Sequence, residues 1–294
     1  MSVAGRARVP AFRFLGALIE RVPESLAVSV ARRIGRAIPA KDSRRHLAAN
    51  LRHALGDSND LDPELVDRYV DRAMASYGQY WAEGAKLPAL SATTITGRFQ
   101  IAEGRGYLDA AHAAGAGVVV ALPHVGSWEW GGALLAQIGM PMTAVAEALE
   151  PPALFEWFKS KRESIGITIE PLDSHAGTVL LDTLRRGGVV GLLCDRDLVG
   201  NGIPVEFFGE RVTLPAGPAT LALRTGAVLV AAACYAGPGR DHFAVITPPI
   251  PAERLGRLRD DVARVTQSIA RELEGLIRRA PEQWHVLQPR FETP

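Results

Sequence analysis

The sequence predicts an α/β fold: a single domain over residues 1–294, in which helices flank a central, mostly parallel sheet. One apolar run at 117–122 leads into a Pro-His turn and a new helix, and a second run at 189–194 ends in charged residues. Buried strands that alternate with helical segments are typical of a parallel sheet. The chain has 294 residues, is 47% hydrophobic and carries no repeats, which favours one large core over two small domains.

The first part of the chain has helical patterns. Apolar positions recur at helical spacing over 25–38 and again over 44–55. A long helix is predicted from 62–64, where Asp, Pro and Glu supply a cap, a first-turn proline and an early acid, to about residue 83. Its aromatic positions are most simply core, and the alternative is that they line a groove for an apolar chain: Tyr77, Tyr80 and Trp81.

Strands and helices alternate in the rest of the chain. The predicted strands are 117–122, 140–146, 168–172, 189–194 and an antiparallel pair, 227–235 and 242–247. The predicted helices are 104–114, 147–165, 176–186, 219–225 and 255–279. The stretch at 201–218 is rich in glycine and proline, which indicates either a closing loop or an ordinary hairpin with two core phenylalanines.

Charge is unevenly distributed along the chain. Residues 1–52 hold eleven Lys and Arg against three acids, a net charge of +8, whereas the whole chain carries only +1. A basic segment indicates contact with an anionic surface, and the scarcity of aromatic residues within it favours a membrane over nucleic acid. The helix at 25–38 has a cationic and an apolar face, so residues 1–55 are predicted to associate with a membrane. A surface helix packed on its own domain fits the pattern equally well.

Several functional classes are disfavoured by composition. No apolar run reaches the roughly 18 residues that span a bilayer, and no clear signal-peptide cleavage site is present, so we expect a peripheral protein on the cytoplasmic side. Cys194 and Cys234 lie in apolar runs and are predicted to be buried thiols. No Cys/His cluster has metal-ligand spacing, so neither a metal nor a bound cofactor is expected.

Candidate chemistry lies at the ends of the two apolar strands. His124 follows the strand at 117–122, at the edge where α/β sheets usually hold ligands. Glu129 comes five residues later and could fold back toward the imidazole as an orienting acid. Asp195, Arg196 and Asp197 follow the second strand, where charges are costly unless they pair or face a cleft. The alternatives are a structural histidine and a solvated strand end.

Further motifs accompany His-x4-Glu in the same order along the chain. They are Asn50-Leu51, Phe207-Phe208-Gly209, Pro215-Ala216-Gly217-Pro218, Trp284-His285 and Gln288-Pro289. Together they resemble the HX4D/E acyltransferases of the lipid A lauroyl and phosphatidylinositol mannoside type. The resemblance extends from about Asn50 to Phe291 and implies a glycerolphosphate acyltransferase-like fold. We expect Trp284 and His285 to be structural.

The resemblance also suggests substrate-binding residues. It implies that Arg162 lies near the acyl donor, and it makes Arg196, Asp197 and Arg224 further candidates. Two positions depart from the mannoside enzymes. Asp195 stands where some of them use Glu, so its reach to the histidine is open, and Arg224 stands where an acid is expected, which leaves the acceptor contacts open.

On this resemblance we expect an enzyme that transfers a palmitoyl-type chain from acyl-CoA, a co-substrate, to a sugar hydroxyl of a phosphatidylinositol mannoside. His124 would be the general base and Glu129 or Asp195 its carboxylate partner, without an acyl-enzyme, because no nucleophilic Ser or Cys motif is present. We expect a monomer that contacts the anionic cytoplasmic face of the inner membrane. A lipid A precursor or another lipid as acceptor, a hydrolase and a non-catalytic lipid-binding protein are the alternatives.

Overall fold

The computed structural model describes residues 10, 14, 16–56, 61–147 and 149–291. The first nine residues of the predicted membrane-associating segment, and residues 11–13 and 15, lie outside the described residues. Residues 16–21 are helical, and they are followed by α1 (Glu24–Ala37), α2 (Lys41–Leu55) and α3 (Pro63–Lys86). Asp62 caps α3 as predicted, because its side chain accepts from the backbone N–H of Glu64 at 2.9 Å.

The sheet and its helices follow in the next part of the chain. The elements are α4 (Ala92–Arg98), β1 (Phe99–Glu103), α5 (Arg105–Ala113), β2 (Val118–Leu122), α6 (Trp128–Gln137), β3 (Met142–Ala146), α7 (Pro152–Glu163), β4 (Thr168–Pro171), α8 (Ala176–Arg185) and β5 (Val189–Leu193). They continue with β6 (Ile203–Phe207), β7 (Glu210–Leu214), α9 (Gly217–Thr225), β8 (Val228–Ala236), β9 (His242–Ile246) and α10 (Leu258–Arg279).

Seven strands form one sheet in the order β1-β9-β8-β2-β5-β3-β4. All neighbouring pairs are parallel except β8 and β9, which pair antiparallel as predicted. The predicted single-domain α/β fold with a mostly parallel sheet is therefore confirmed. β5 lies between β2 and β3, so the strands that carry His124 and lead to Arg162 are not neighbours.

Hydrophobic residues cover both faces of the sheet. In β2, Val119 and Ala121 pack into the core beneath α9 and α10, while Val118, Val120 and Leu122 pack into the core beneath α6. A strand buried on both faces explains the continuous apolar run at 117–122. The sheet can therefore present polar groups mainly at the ends of its strands.

The glycine- and proline-rich stretch contains a hairpin, which was the simpler of the two predictions. β6 and β7 pair antiparallel, and Phe208 occupies the turn with a φ of 53°. Phe207 and Phe208 are both buried in the core against Trp284. These phenylalanines therefore support the C-terminal segment.

The helix α1 packs on α3 and still exposes apolar side chains. A Cβ at Gly35 would collide with the carbonyl oxygen of Met74, so the two backbones approach closely. On another face of α1, three apolar residues and the one that directly follows the helix stay exposed: Leu26, Val30, Ile34 and Ile38. The helix thus packs on its own domain and also presents the predicted apolar stripe. Within the described ranges, no helix has both the length and the apolar character needed to cross a bilayer.

Candidate active site

His124 lies on the loop between β2 and α6, at the carboxyl edge of the parallel strands. Gly126 in this loop has a φ of 57°, and a Cβ there would collide with the carbonyl oxygen of Cys234. Ser127 N donates to Cys234 O at 3.0 Å, and Gly126 N donates to Gln283 O at 2.9 Å. The loop is therefore clamped between β8 and the C-terminal segment.

The imidazole of His124 contacts Asp195, which directly follows the neighbouring strand β5. Nδ1 of His124 lies 2.5 Å from Oδ1 of Asp195, and the backbone N–H of His124 donates to Oδ2 at 2.9 Å. Trp284 Nε1 also donates to Oδ2, at 2.8 Å. The aspartate thus reaches the histidine, a point that the sequence left open.

The environment keeps Asp195 ionised. Its side chain is fully buried, whereas 26% of the His124 side chain is exposed. Burial acts to raise the pKa of Asp195, but the charge of His124 and the hydrogen bonds from His124 and Trp284 outweigh it and hold the pKa below its ordinary value. A carboxylate beside Nδ1 favours a proton on that nitrogen, which leaves Nε2 of the neutral ring as an acceptor.

Glu129 makes no hydrogen bond or ion pair with His124. Its Oε1 accepts from Tyr80 Oη at 2.8 Å and from Arg162 Nη2 at 3.1 Å, while Oε2 is buried without a hydrogen-bond partner in the described part of the chain. Glu129 lies in the first turn of α6, and its carboxylate faces side chains from α3 and α7. Of the two candidate carboxylates, Asp195 is the one in contact with the imidazole.

Arg162 reaches the site from α7 and forms part of its wall. Its guanidinium lies 5.2 Å from the ring centre of Trp128 and 5.7 Å from that of Phe158. Burial acts to lower the pKa of Arg162, but the charges of Glu129 and Tyr80 outweigh it and raise the pKa above its ordinary value. Arg162 is therefore a fixed cation beside the histidine loop, although β2 and β3 are not adjacent.

A cavity of about 760 Å³ opens at this edge of the sheet, with His124 in its wall. One part of the wall is aliphatic and comes from β3, β5, α8 and α9: Val145, Leu180, Leu181, Leu192, Leu193 and Leu221. Another part is aromatic or polar: Tyr77, Tyr80, Trp81, Trp128, Arg162 and His285. A cavity with an apolar portion and a few polar groups is typical of a small-molecule site.

The other three predicted binding residues also line the cavity. Arg196 is partly buried and Arg224 is exposed, and neither has a hydrogen bond or ion pair to the described residues. Asp197 differs, because its carboxylate accepts from the backbone N–H groups of Gly200 and Gly202, both at 2.8 Å. These bonds outweigh the effect of its partial burial and hold the pKa of Asp197 below its ordinary value. The structure therefore gives Asp197 a role in ordering the loop after β5.

The C-terminal segment is attached to the site by a buried asparagine. Asn50 Nδ2 donates to the carbonyl oxygens of Val286 at 2.8 Å and Gln288 at 3.0 Å. The same segment places Trp284, which is fully buried, against Asp195. Asn50-Leu51 and Trp284-His285 thus belong to one assembly. Sequence reasoning did not find the contact of Tyr80 with Glu129, because the helical pattern marks Tyr80 only as a residue of the core or of a groove wall.

The arrangement supports proton transfer beside an apolar cavity. His124 has a carboxylate on one ring nitrogen and open space at the other, which suits a general base for a hydroxyl group. In the part of the chain that the structure covers, no three His, Cys, Asp or Glu side chains are grouped to hold a metal ion.

Comparison with known proteins shows the family of this chain. A sequence model of the bacterial lipid A biosynthesis acyltransferase family matches residues 8–293. The chain is 37% identical over 250 residues to the phosphatidylinositol mannoside acyltransferase of Mycobacterium tuberculosis (strain CDC 1551 / Oshkosh), covering 83% of this chain and 76% of that protein. It is 33% identical over 277 residues to the protein of the same name from Mycolicibacterium smegmatis, covering 93% and 88%. The chain therefore belongs to the bacterial lipid A biosynthesis acyltransferase family and is an acyltransferase.

Proposed function

We propose that this acyltransferase moves a long-chain acyl group of the palmitoyl type from acyl-CoA to a sugar hydroxyl of a phosphatidylinositol mannoside. The observation that carries the proposal is the His124–Asp195 pair in the wall of a cavity with an aliphatic part. The names of the similar mycobacterial proteins support this acceptor class.

In this mechanism His124 is the general base. Nε2 takes the proton of the sugar hydroxyl as its oxygen attacks the thioester carbonyl carbon, and the tetrahedral oxyanion then expels the CoA thiolate. The imidazolium returns its proton to that thiolate, so the products are the ester and free CoA thiol. Asp195 holds the tautomer and stabilises the imidazolium, as the acid of a catalytic triad does. No covalent acyl-enzyme is formed.

The cavity wall suggests where each part of the substrates lies. The aliphatic part of the wall, whose six residues include Val145 and Leu221, would bind the acyl chain, because burying each methylene stabilises binding by about 0.8 kcal/mol. Arg196 and Arg224 have no partner among the described residues and would bind phosphates of the donor or acceptor. Arg162 is already paired with Glu129, so its role would be to fix the wall beside the reacting groups.

The apolar stripe of α1 supports a peripheral location on an anionic bilayer. Leu26, Val30, Ile34 and Ile38 are each 43–54% exposed, and the exposed arginines Arg33 and Arg36 lie on the same helix. Apolar side chains with nearby cations suit the boundary between headgroups and acyl chains. We place the protein, as a monomer, on the cytoplasmic face of the cell membrane.

The test is release of free CoA thiol from palmitoyl-CoA, with and without purified phosphatidylinositol mannosides. We expect release that depends on the acceptor, an acylated product by mass spectrometry, and loss of both in His124→Ala. Full activity in His124→Ala would exclude this base. Release that is equally fast without acceptor would identify a hydrolase, release only with a lipid A precursor would change the acceptor, and saturable lipid binding without thioester turnover would identify a binding protein.

A further inference from the structure

A second histidine lies beside the proposed base. His285 N donates to the carbonyl oxygen of His124 at 2.8 Å, and Val125 and Trp284 form an antiparallel bridge next to it. Both His124 and His285 form part of the cavity wall. The two histidines are therefore joined through the backbone, and this link does not depend on the imidazole of His285.

Contacts of the His285 ring define its tautomer. Nε2 lies 2.9 Å from the hydroxyl of Ser76, and in the described part of the chain it is the only acceptor within hydrogen-bond distance of that buried hydroxyl. Because a buried hydroxyl needs an acceptor for its proton, we assign Ser76 as the donor and Nε2 as the acceptor. The neutral ring then carries its proton on Nδ1.

The Nδ1–H group is free to act on a substrate. Nδ1 has no hydrogen-bond partner among the described residues, and it is not among the enclosed polar atoms. Tyr77 and Tyr80 both pack against the ring, with ring centres 5.6 Å away in each case. A fixed ring in the cavity wall thus offers one N–H donor next to the proposed base.

His285 also stays neutral under assay conditions. Burial, and then the neighbouring His124, lowers the pKa of His285 to about 3. A neutral imidazole can polarise a carbonyl by hydrogen bonding without taking part in proton transfer. The two histidines can therefore have different functions, one as a base and the other as a donor.

We propose that His285 is a catalytic residue whose Nδ1–H donates a hydrogen bond to the thioester carbonyl oxygen as that oxygen becomes negatively charged. The bond strengthens when the tetrahedral oxyanion forms, so it stabilises the transition state more than the bound thioester. His285 gains and loses no proton in the step. The proposal rests on the thioester chemistry described under the proposed function.

The test compares three substitutions at this position. His285→Asn can place an amide N–H near the position of Nδ1, His285→Gln reaches toward Ser76 instead, and His285→Phe keeps the ring packing without a donor. Because removal of one oxyanion donor costs about 10²–10³ in kcat, we expect that loss for Phe and Gln, a smaller loss for Asn, and KM for palmitoyl-CoA within about 2-fold of wild type. Circular dichroism and Tm report whether each variant is folded.

A second variant, Ser76→Ala, tests the tautomer. It removes the donor to Nε2 and allows the proton to move there, so we expect kcat to fall by about 10-fold with KM unchanged. A kcat for His285→Phe within about 3-fold of wild type would overturn the proposal, as would a Gln variant more active than the Asn variant. If the wild-type protein does not turn over the thioester at all, the proposed function is overturned as well. If the wild type is active and His285→Phe keeps that activity, only the role of His285 is overturned.

Discussion

Replacing Asp195 by asparagine tests the proposed active site most directly. The asparagine side chain has nearly the same shape, and its oxygen can still accept from His124 N and Trp284 Nε1, which donate to Oδ2 at 2.9 and 2.8 Å. Its amide nitrogen then faces Nδ1 of His124 in place of Oδ1. Because an amide N–H₂ donates, Nδ1 must accept, and the proton moves to Nε2. The base loses its acceptor nitrogen.

The size of the effect follows from two contributions. The imidazolium loses a charge-assisted hydrogen bond, which contributes about 2–3 kcal/mol. In the active tautomer, Nδ1–H of His124 would face the amide N–H of the new asparagine, so two donors would oppose each other. Because Asp195 is 0% exposed, no water relieves this conflict, and it costs about 2–3 kcal/mol more. A total of about 4–6 kcal/mol corresponds to a kcat lowered about 10³- to 10⁴-fold. KM should change little, because Asp195 is not part of the cavity wall.

The assay is steady-state CoA release from palmitoyl-CoA with saturating acceptor, together with thermal unfolding. The matched control is Asp197→Asn, which alters a carboxylate two residues away that orders a loop, and its kcat should stay within about 3-fold of wild type. A kcat for Asp195→Asn within about 10-fold of wild type would refute the tautomer argument. So would a Tm lowered by more than about 10 °C, since the loss of activity would then reflect unfolding.

Three further predictions concern stability and membrane contact. Glu129→Gln leaves the buried guanidinium of Arg162 without its counter-charge, so we expect the free energy of unfolding in urea to fall by about 2–4 kcal/mol. The loss of kcat should be smaller than in Asp195→Asn. An unchanged free energy of unfolding would contradict this prediction. The pKa of His285 is about 3 in the folded protein and about 6.5 in the unfolded chain, so its contribution to folding stability is complete above about pH 6.5 and falls as the pH decreases. Between about pH 6.5 and 5, the wild type should therefore lose up to about 2 kcal/mol more stability than His285→Phe. Equal slopes of unfolding free energy against pH for the two proteins would contradict this. The double substitution Val30→Ser and Ile34→Ser should weaken binding to anionic vesicles, measured by cosedimentation, about 10- to 100-fold. Leu255→Ser changes an exposed leucine outside α1 and should leave vesicle binding unchanged. Equal losses of binding would contradict a membrane-contacting surface on α1.

The sequence predicted the strands that are buried on both faces and missed β1, one of the two edge strands. Residues 117–122 and 189–194 were assigned to within a residue or two as β2 and β5, because continuous apolar runs between breakers are distinctive. β1 was not predicted. It is short, it lies at the sheet edge, and most of its side chains are exposed or partly buried, so it has little apolar pattern. The helix α4 is similarly short and is rich in threonine, a weak helix former.

Local patterns located the proposed base but did not identify its partner. Both Glu129 and Asp195 were candidates, and spacing alone favoured Glu129, which is five residues from His124. The partner depends on strand order, because β5 pairs with β2 and brings Asp195 to the same edge of the sheet. Strand order is a property of the whole fold, and the apolar patterns of single strands do not determine it.

Strand pairing also explains why the proposed base relies on parts of the chain that are far apart in sequence. The register of β2 with β5 places Leu122 beside Leu193, so the residues that follow the two strands emerge together. The backbone N–H of His124 supplies one donor for the second oxygen of Asp195, and a further donor comes from Trp284, in the segment that Asn50 holds. A buried carboxylate is costly to keep ionised unless its oxygens are well supplied with hydrogen-bond donors. The contact of the C-terminal segment with Asp195 therefore helps to keep the carboxylate beside His124 ionised, and it explains in physical terms why motifs at residues 50, 124 and 284 occur together in one chain.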